Sequence, residues 1–238
     1  MGDDTLSVLV VMDYQNIHLT GHERFVPNGH AKHESLVQPL HFANQALITR
    51  THRLAVRAMS RGEQPPAPTR LDRVEVFRGS PSNKQSPTAY RRSQAQRSEW
   101  TRDPRVEVQY RTLRYLWDGA QGRHVPSEKG IDVLAALAVV RAADSGAFDL
   151  IILASHDTDL EPALEAAIAG PRSVAPVLKG MEHTSQEVEA DAESEPRALI
   201  ETVGWDGCKR LRAGGYQIRH TSMGAGEFVR SRDRKDYT

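Results

Sequence analysis

LSVLVVM at residues 6–12, followed at once by DYQN, and LIILA at residues 150–154, followed by SHDTD, decide the fold class. Both are unbroken apolar runs rich in Val, Ile and Leu, the pattern of strands buried on both faces of a parallel sheet. Around them helices and strands alternate. HFANQALITRTHRLAVRAMS at 41–60 reads as a long helix stopped by Gly62, and VEVF at 74–77 as a short strand. Residues 88–102 read as a helix and VEVQY at 106–110 as a strand. IDVLAALAVVRAADS at 131–145 reads as a helix, with Leu134, Leu137, Ala138 and Arg141 at three- to four-residue spacing and Gly146 as the stop. Residues 160–169 read as a helix with Pro162 in its first turn, and 174–178 as a final strand. Such alternation predicts an α/β fold, a Rossmann-like parallel sheet with helices on both faces.

The chain has 238 residues, 39% of them hydrophobic and 26% charged, a composition that suits a globular domain and excludes a disordered tail. No apolar run approaches the roughly 20 residues needed to span a bilayer, so no membrane partner is expected. MGDDTLSVLVVMD at the start lacks a basic leader and a short apolar core, and Cys208 is the one cysteine. A cytoplasmic location without disulfides is the resulting expectation. There is no Walker phosphate loop and no G-x-G-x-x-G, and no internal repeat is visible. Homo-oligomerisation is left open by the sequence.

Lysine plus arginine and aspartate plus glutamate balance at 31 each, but the charge is unevenly placed. From Arg70 to Arg114 there are eleven basic and five acidic residues, with RRSQAQR at 91–97 and Tyr90, Trp100 and Tyr110 interleaved. Basic residues attract polyanions and aromatics stack on unpaired bases, so this stretch reads either as an RNA-binding surface or as a solvated helix face. MEHTSQEVEADAESEP at 181–196 carries six acids and no lysine or arginine, and reads as an exposed linker. Residues 205–238 are basic again, with a short strand expected in GYQIRH and a fraying end in RSRDRKDYT. GEQPPAPTR at 62–70 reads as a second linker. Two parts follow, a domain over 1–180 and an acidic linker with a basic extension over 181–238.

In an open parallel sheet, ligands sit beyond the carboxyl ends of the strands, near the point where strand order reverses. The first buried run ends in Asp13-Tyr14-Gln15-Asn16, and the second in Ser155-His156-Asp157-Thr158-Asp159. Between them Lys129-Gly130-Ile131-Asp132 opens a helix. Taken singly, Asp132 and Asp159 read as acids that complement a helix start, worth about 0.3–1 kcal/mol each. Asp13 is costly to bury alone, and Asp157 and Asp159 in one tight loop repel each other. Together the four favour a site for a hard divalent cation, Mg²⁺ or Mn²⁺. His18 and His22 are four apart, but Gly21 and Pro27 argue against the helix that a zinc pair would need.

Strand-DYQN, KGID before a helix and strand-SHDTDLEP, in that order between about residues 6 and 178, resemble the NYN domain family, the PIN-like nuclease fold with a four-acid site. The resemblance implies a metal-dependent ribonuclease. It places Asp13 on the first-strand acid and Asn16 on the asparagine after it. Lys129 and Asp132 fall on the K-G-x-D segment, and Ser155, Asp157 and Asp159 on S-x-D-x-D. His156 stands where the family usually has glycine, and fifteen residues (GHERFVPNGHAKHES) separate the first motif from the next helix.

The expected activity is hydrolysis of RNA phosphodiester bonds, with Mg²⁺ or Mn²⁺ held by Asp13, Asp132, Asp157 and Asp159. Asn16 and Ser155 are expected to orient a carboxylate, water or phosphate, while Lys129 contacts phosphate or balances the acids. Lys84, Arg91, Arg92 and Arg97 are the candidates for RNA contact. An alternative is a non-catalytic RNA-binding scaffold that retains the fold. A phosphatase with an aspartyl nucleophile is disfavoured by Gln15, which takes the place of the second acid that such an enzyme needs.

Overall fold

A computed structural model of the chain describes residues 5–120, 122–170 and 198–237. Six parallel strands form the main sheet. They are β1 (Leu6–Asp13), β2 (Thr69–Ser80), β3 (Val106–Thr112), β6 (Leu150–Ala154), β7 (Leu199–Trp205) and β8 (Arg219–Met223), in the spatial order β3-β2-β1-β6-β7-β8. The chain thus runs outward from β1 to one edge, returns to β1's other side, and runs outward again. That is the doubly wound arrangement, with its reversal point between β1 and β6. Strands β4 (Arg114–Asp118) and β5 (Arg123–Ser127) pair separately as an antiparallel hairpin.

The register of β1 sorts its side chains between two cores. Val8, Val10 and Met12 pack with helices α1 (Tyr14–Phe25), α2 (Pro39–Arg61), α3 (Pro87–Trp100) and α6 (Ala225–Ser231). Leu9 and Val11 pack instead with α4 (Ile131–Ser145) and α5 (Glu161–Ala169). Fully burying each such side chain stabilises the fold by about 1.5–3 kcal/mol. By the two-residue alternation, Asp13 continues the Leu9–Val11 face and points toward the start of α4.

Helices on both faces and the strands at 6–12, 74–77, 106–110 and 150–154 agree with expectation. Helix α2 begins with Gln38 Oε1 accepting from the His41 N–H at 2.6 Å and ends at Gly62, as α4 ends at Gly146. Four features differ. Residues 14–25 form a helix, where Gly21 argues against one. A Cβ on Gly21 would lie 2.7 Å from the Trp205 indole nitrogen, so the glycine makes room for the buried Trp205 rather than breaking the helix.

Residues 199–205, for which no strand is expected above, form β7 and pair with β6; β8 follows at 219–223, slightly beyond GYQIRH. The presumed extension therefore supplies two strands of the sheet and α6. Its basic end is tied to the domain through residue 237. Asp233 accepts from the Trp100 indole N–H at 2.7 Å and from the Tyr237 hydroxyl at 2.8 Å, and Lys235 pairs with Glu99. The hairpin β4–β5 is the fourth difference. The strand expected at 174–178 and the acidic stretch at 182–195 lie outside the described residues.

Candidate functional site

At the reversal point, Asp13, Glu128, Lys129, Asp132 and Asp157 line one cleft of about 350 Å³, with the backbone of Gly130 and Ile131 between them. Strand β1 delivers Asp13 at its last position, and the loop after β6 delivers Asp157. Lys129, Gly130 and Asp132 come from the entry to α4, where Gly130 takes the N-cap position at φ +75° without a side-chain cap. Any Cβ there would be strained in its backbone and would press on the Arg111 guanidinium at 3.3 Å, which places Arg111 beside this entry.

A chain of hydrogen bonds fixes the two strand ends to each other. The Ser155 hydroxyl donates to Asp13 Oδ2 at 3.1 Å and accepts from the Asp157 N–H at 3.1 Å. Asn16 Oδ1 accepts from the His156 N–H at 2.8 Å, while the Asn16 N–H reaches Asp13 Oδ1 at 3.4 Å. Asp157 Oδ1 in turn accepts from the Asp159 N–H at 3.0 Å and so caps a single 3-10 turn, Thr158–Leu160. Asn16 and Ser155 are thus positioning groups for the carboxylates.

The acids interact unfavourably. Asp13 is 5% exposed, and burial pushes its carboxyl up to about 7, helped by the nearby charges of Glu128 and Asp157 and opposed by the Asn16 and Ser155 donors. Burial also raises Glu128, with a further push from Asp132, while the Gly79 N–H and Arg78 pull it down. Arg78 lies behind this group, stacked at 4.6 Å on Tyr14 and 5.4 Å on Trp100. A cation entering the cleft would relieve the repulsion.

The oxygen-only donor set of Asp13, Glu128, Asp132 and Asp157 suits Mg²⁺ or Mn²⁺ rather than a softer metal. The four line the cleft without being drawn together; among the described residues no three carboxylate, imidazole or thiol groups form a ready metal shell. Glu128 has no counterpart in the sequence reading. It sits at the exit of the hairpin, where its Oε1 accepts from the Gly79 N–H at 2.9 Å. Its one sequence signal is adjacency to Lys129-Gly130. Asp159 is exposed and lies outside the cleft lining.

His156 faces away from the acids. Trp205 N–H donates to its Nε2 at 3.0 Å, so the ring proton is on Nδ1, which donates to the Lys209 carbonyl at 2.9 Å. Burial lowers its pKa and keeps it neutral. The ring packs on Gly204, where a Cβ would come within 2.2 Å of it. The histidine therefore ties the β6 loop to the β7 loop and does not crowd the carboxylates. His18 and His22 bond the Lys32 carbonyl and the Ser35 hydroxyl at 2.9 and 2.6 Å, and neither lines the cleft.

The basic stretch is more structural than its composition implies. Lys84, Arg91 and Arg97 are exposed, with Arg97 also stacked at 5.5 Å on Tyr110, and Arg92 is half-buried and lines a cavity shared with the C-terminal residues. Trp100 is fully buried, and Tyr110 donates its hydroxyl to the Ser93 carbonyl at 2.6 Å. These two aromatics hold α3 in place and are not presented for stacking on bases.

Among the described residues no helix is long and apolar enough to cross a membrane. No protein-family model matches the chain, and no curated protein does. Among solved structures, it is similar to a protein of unknown function from Vibrio parahaemolyticus RIMD 2210633, with 14% identity over 88% of each chain and a TM-score of 0.45.

Proposed function

We propose that the protein is a metal-dependent ribonuclease that hydrolyses RNA phosphodiester bonds in the cleft between β1 and β6. The carrying observation is that Asp13, Asp132 and Asp157, from three distant segments, line one cleft with Glu128 at the reversal point of the sheet. Bound Mg²⁺ or Mn²⁺ supplies Lewis-acid stabilisation of the charge that builds on the phosphate. Asp13, Asp132, Asp157 and Glu128 would hold it, and Asp159 would contribute from the cleft's edge.

The protein's own groups set the geometry. Ser155 and Asn16 lock the Asp13 and Asp157 loops, so the acids keep their spacing without the ligand. Lys129 places an ammonium against the substrate phosphate, and Arg111 adds a guanidinium beside it. In the reaction, water attacks phosphorus and loses a proton to solvent, while the bond to the leaving ribose oxygen breaks and that oxygen takes up a proton from solvent to leave as a hydroxyl.

The test is cleavage of labelled RNA with Mn²⁺ by wild type beside Asp13→Asn. Loss of at least about a hundredfold in rate is expected for the variant, on the order of one removed electrostatic stabiliser. Equal inertness of the two, with RNA still bound, would replace the enzyme by the scaffold reading. Release of phosphate from small monoesters without RNA cutting would make it a phosphatase.

A further inference from the structure

We infer that the loop at residues 206–212, DGCKRLR, is an RNA-backbone grip that feeds the strand to the acid cleft; this rests on the ribonuclease reading. Lys209, Arg210 and Arg212 stand within four residues and are all exposed. Together with Glu161, Leu211 and His220 they line a groove of about 740 Å³. Among the described residues none of the three side chains is in an ion pair.

The loop is held by its backbone, which leaves these side chains for a ligand. His156 donates to the Lys209 carbonyl at 2.9 Å, and Glu161 Oε1 accepts from the Arg212 N–H at 3.0 Å. Glu165 accepts from the Gly214 N–H at 2.6 Å, and Leu211 is buried in the core under α4 and α5. A pinned backbone pre-orders its side chains and lowers the cost of binding.

Placement gives the loop its partner. His156 and Glu161 flank Asp157 and Asp159 in sequence, so the residues that grip the loop are those that frame the acid loop. An anionic cleft repels a phosphate chain, and cations at its margin must offset this. On α3, Arg97 stacks on Tyr110 and Arg92 is half-buried, which among the described residues leaves Arg91 as the one fully free arginine there, against three exposed cations in this loop. Single-stranded RNA presents a flexible line of phosphates that three neighbouring cations can follow.

The experiment is fluorescence anisotropy of labelled oligouridylate with the full chain in EDTA, titrated with salt. The triple variant Lys209→Ala, Arg210→Ala, Arg212→Ala keeps every backbone contact described above, so its melting temperature should match wild type. Its log–log salt slope should be shallower by about 2, and its low-salt affinity weaker by about tenfold or more. If the triple variant is unfolded, Arg210→Ala alone should flatten the slope by about 0.7. An unchanged slope in a folded variant overturns the inference, as does absence of RNA binding by wild type. Equal binding of oligoglutamate of the same charge also overturns it, in favour of an acidic peptide. The ribonuclease reading stands or falls separately, on Mn²⁺-dependent cleavage by wild type against Asp13→Asn.

Discussion

Asp13 and Glu201 are both carboxylates sunk into the sheet, 5% and 3% exposed, and the fold treats them in opposite ways. Glu201 on β7 receives Arg50 through two bonds, Nε to Oε2 at 2.8 Å and Nη2 to Oε1 at 2.7 Å. Arg219 adds a third at 2.7 Å. Asp13 receives a hydroxyl, a long backbone contact and no guanidinium, while Glu128 and Asp157 crowd it with like charge. A buried charge with bidentate partners is complete as folded. One surrounded by its own kind is complete only with a proton or a cation, which is the difference between a structural acid and a functional one.

The largest effect should come from breaking the satisfied pair. Glu201→Ala leaves Arg50 buried and unpaired, at a cost of about 3–5 kcal/mol. Thermal unfolding should shift down by on the order of 10 °C. A melting temperature within a degree or two of wild type would mean that the two carboxylates are not different in kind.

Asp13 should behave in the reverse sense. Burial lifts its folded pKa from the ordinary carboxylate range to about 7, so its proton stabilises the fold at low pH. That contribution is lost progressively as pH rises from about 4 and is gone above about 7, and amounts to at most about 4 kcal/mol. In EDTA the wild type should lose stability between about pH 4 and pH 7, and Asp13→Asn should lose less while cleavage falls at least about a hundredfold. Parallel denaturation curves for the two proteins across that range would remove the electrostatic strain from Asp13.

The smallest effects belong to the 3-10 turn after β6. Asp157→Asn keeps an acceptor for the Asp159 N–H, and Asp159 is exposed, so each should change stability in EDTA by less than about 0.5 kcal/mol. With Mn²⁺ the two should separate. Asp157→Asn should lose most of the metal-induced rise in melting temperature and Asp159→Asn less, because only Asp157 lines the cleft. Equal losses would bring Asp159 into the same shell.

The strand ends were legible because apolar runs state their own limits. Seven β-forming residues before Asp13 and five before Ser155 leave little choice of where the sheet stops, and the doubly wound rule then sets the cleft between them. Glu128 escaped because the hairpin that delivers it, RYLWDGAQGRHVPS, has little apolar alternation and contains Pro126. Strand β7 escaped because Glu201 and Thr202 interrupt the apolar run of LIETVGW, and only the partners on α2 and β8 make that acid tolerable inside a sheet. Gly21 was misleading for a similar reason. Its meaning lies in an indole that arrives 184 residues later. Local pattern identifies elements whose reasons are local, and these three have distant ones.

The pairing of β6 with β7 sets a constraint on biogenesis. Every residue of β6 is buried, and one of its two hydrogen-bonding edges is satisfied only by residues 199–205. While the nascent polypeptide is still short of that point on the ribosome, LIILA presents an open, greasy margin of the kind that recruits other strands. Premature termination before residue 199 therefore yields sticky fragments rather than a smaller folded domain.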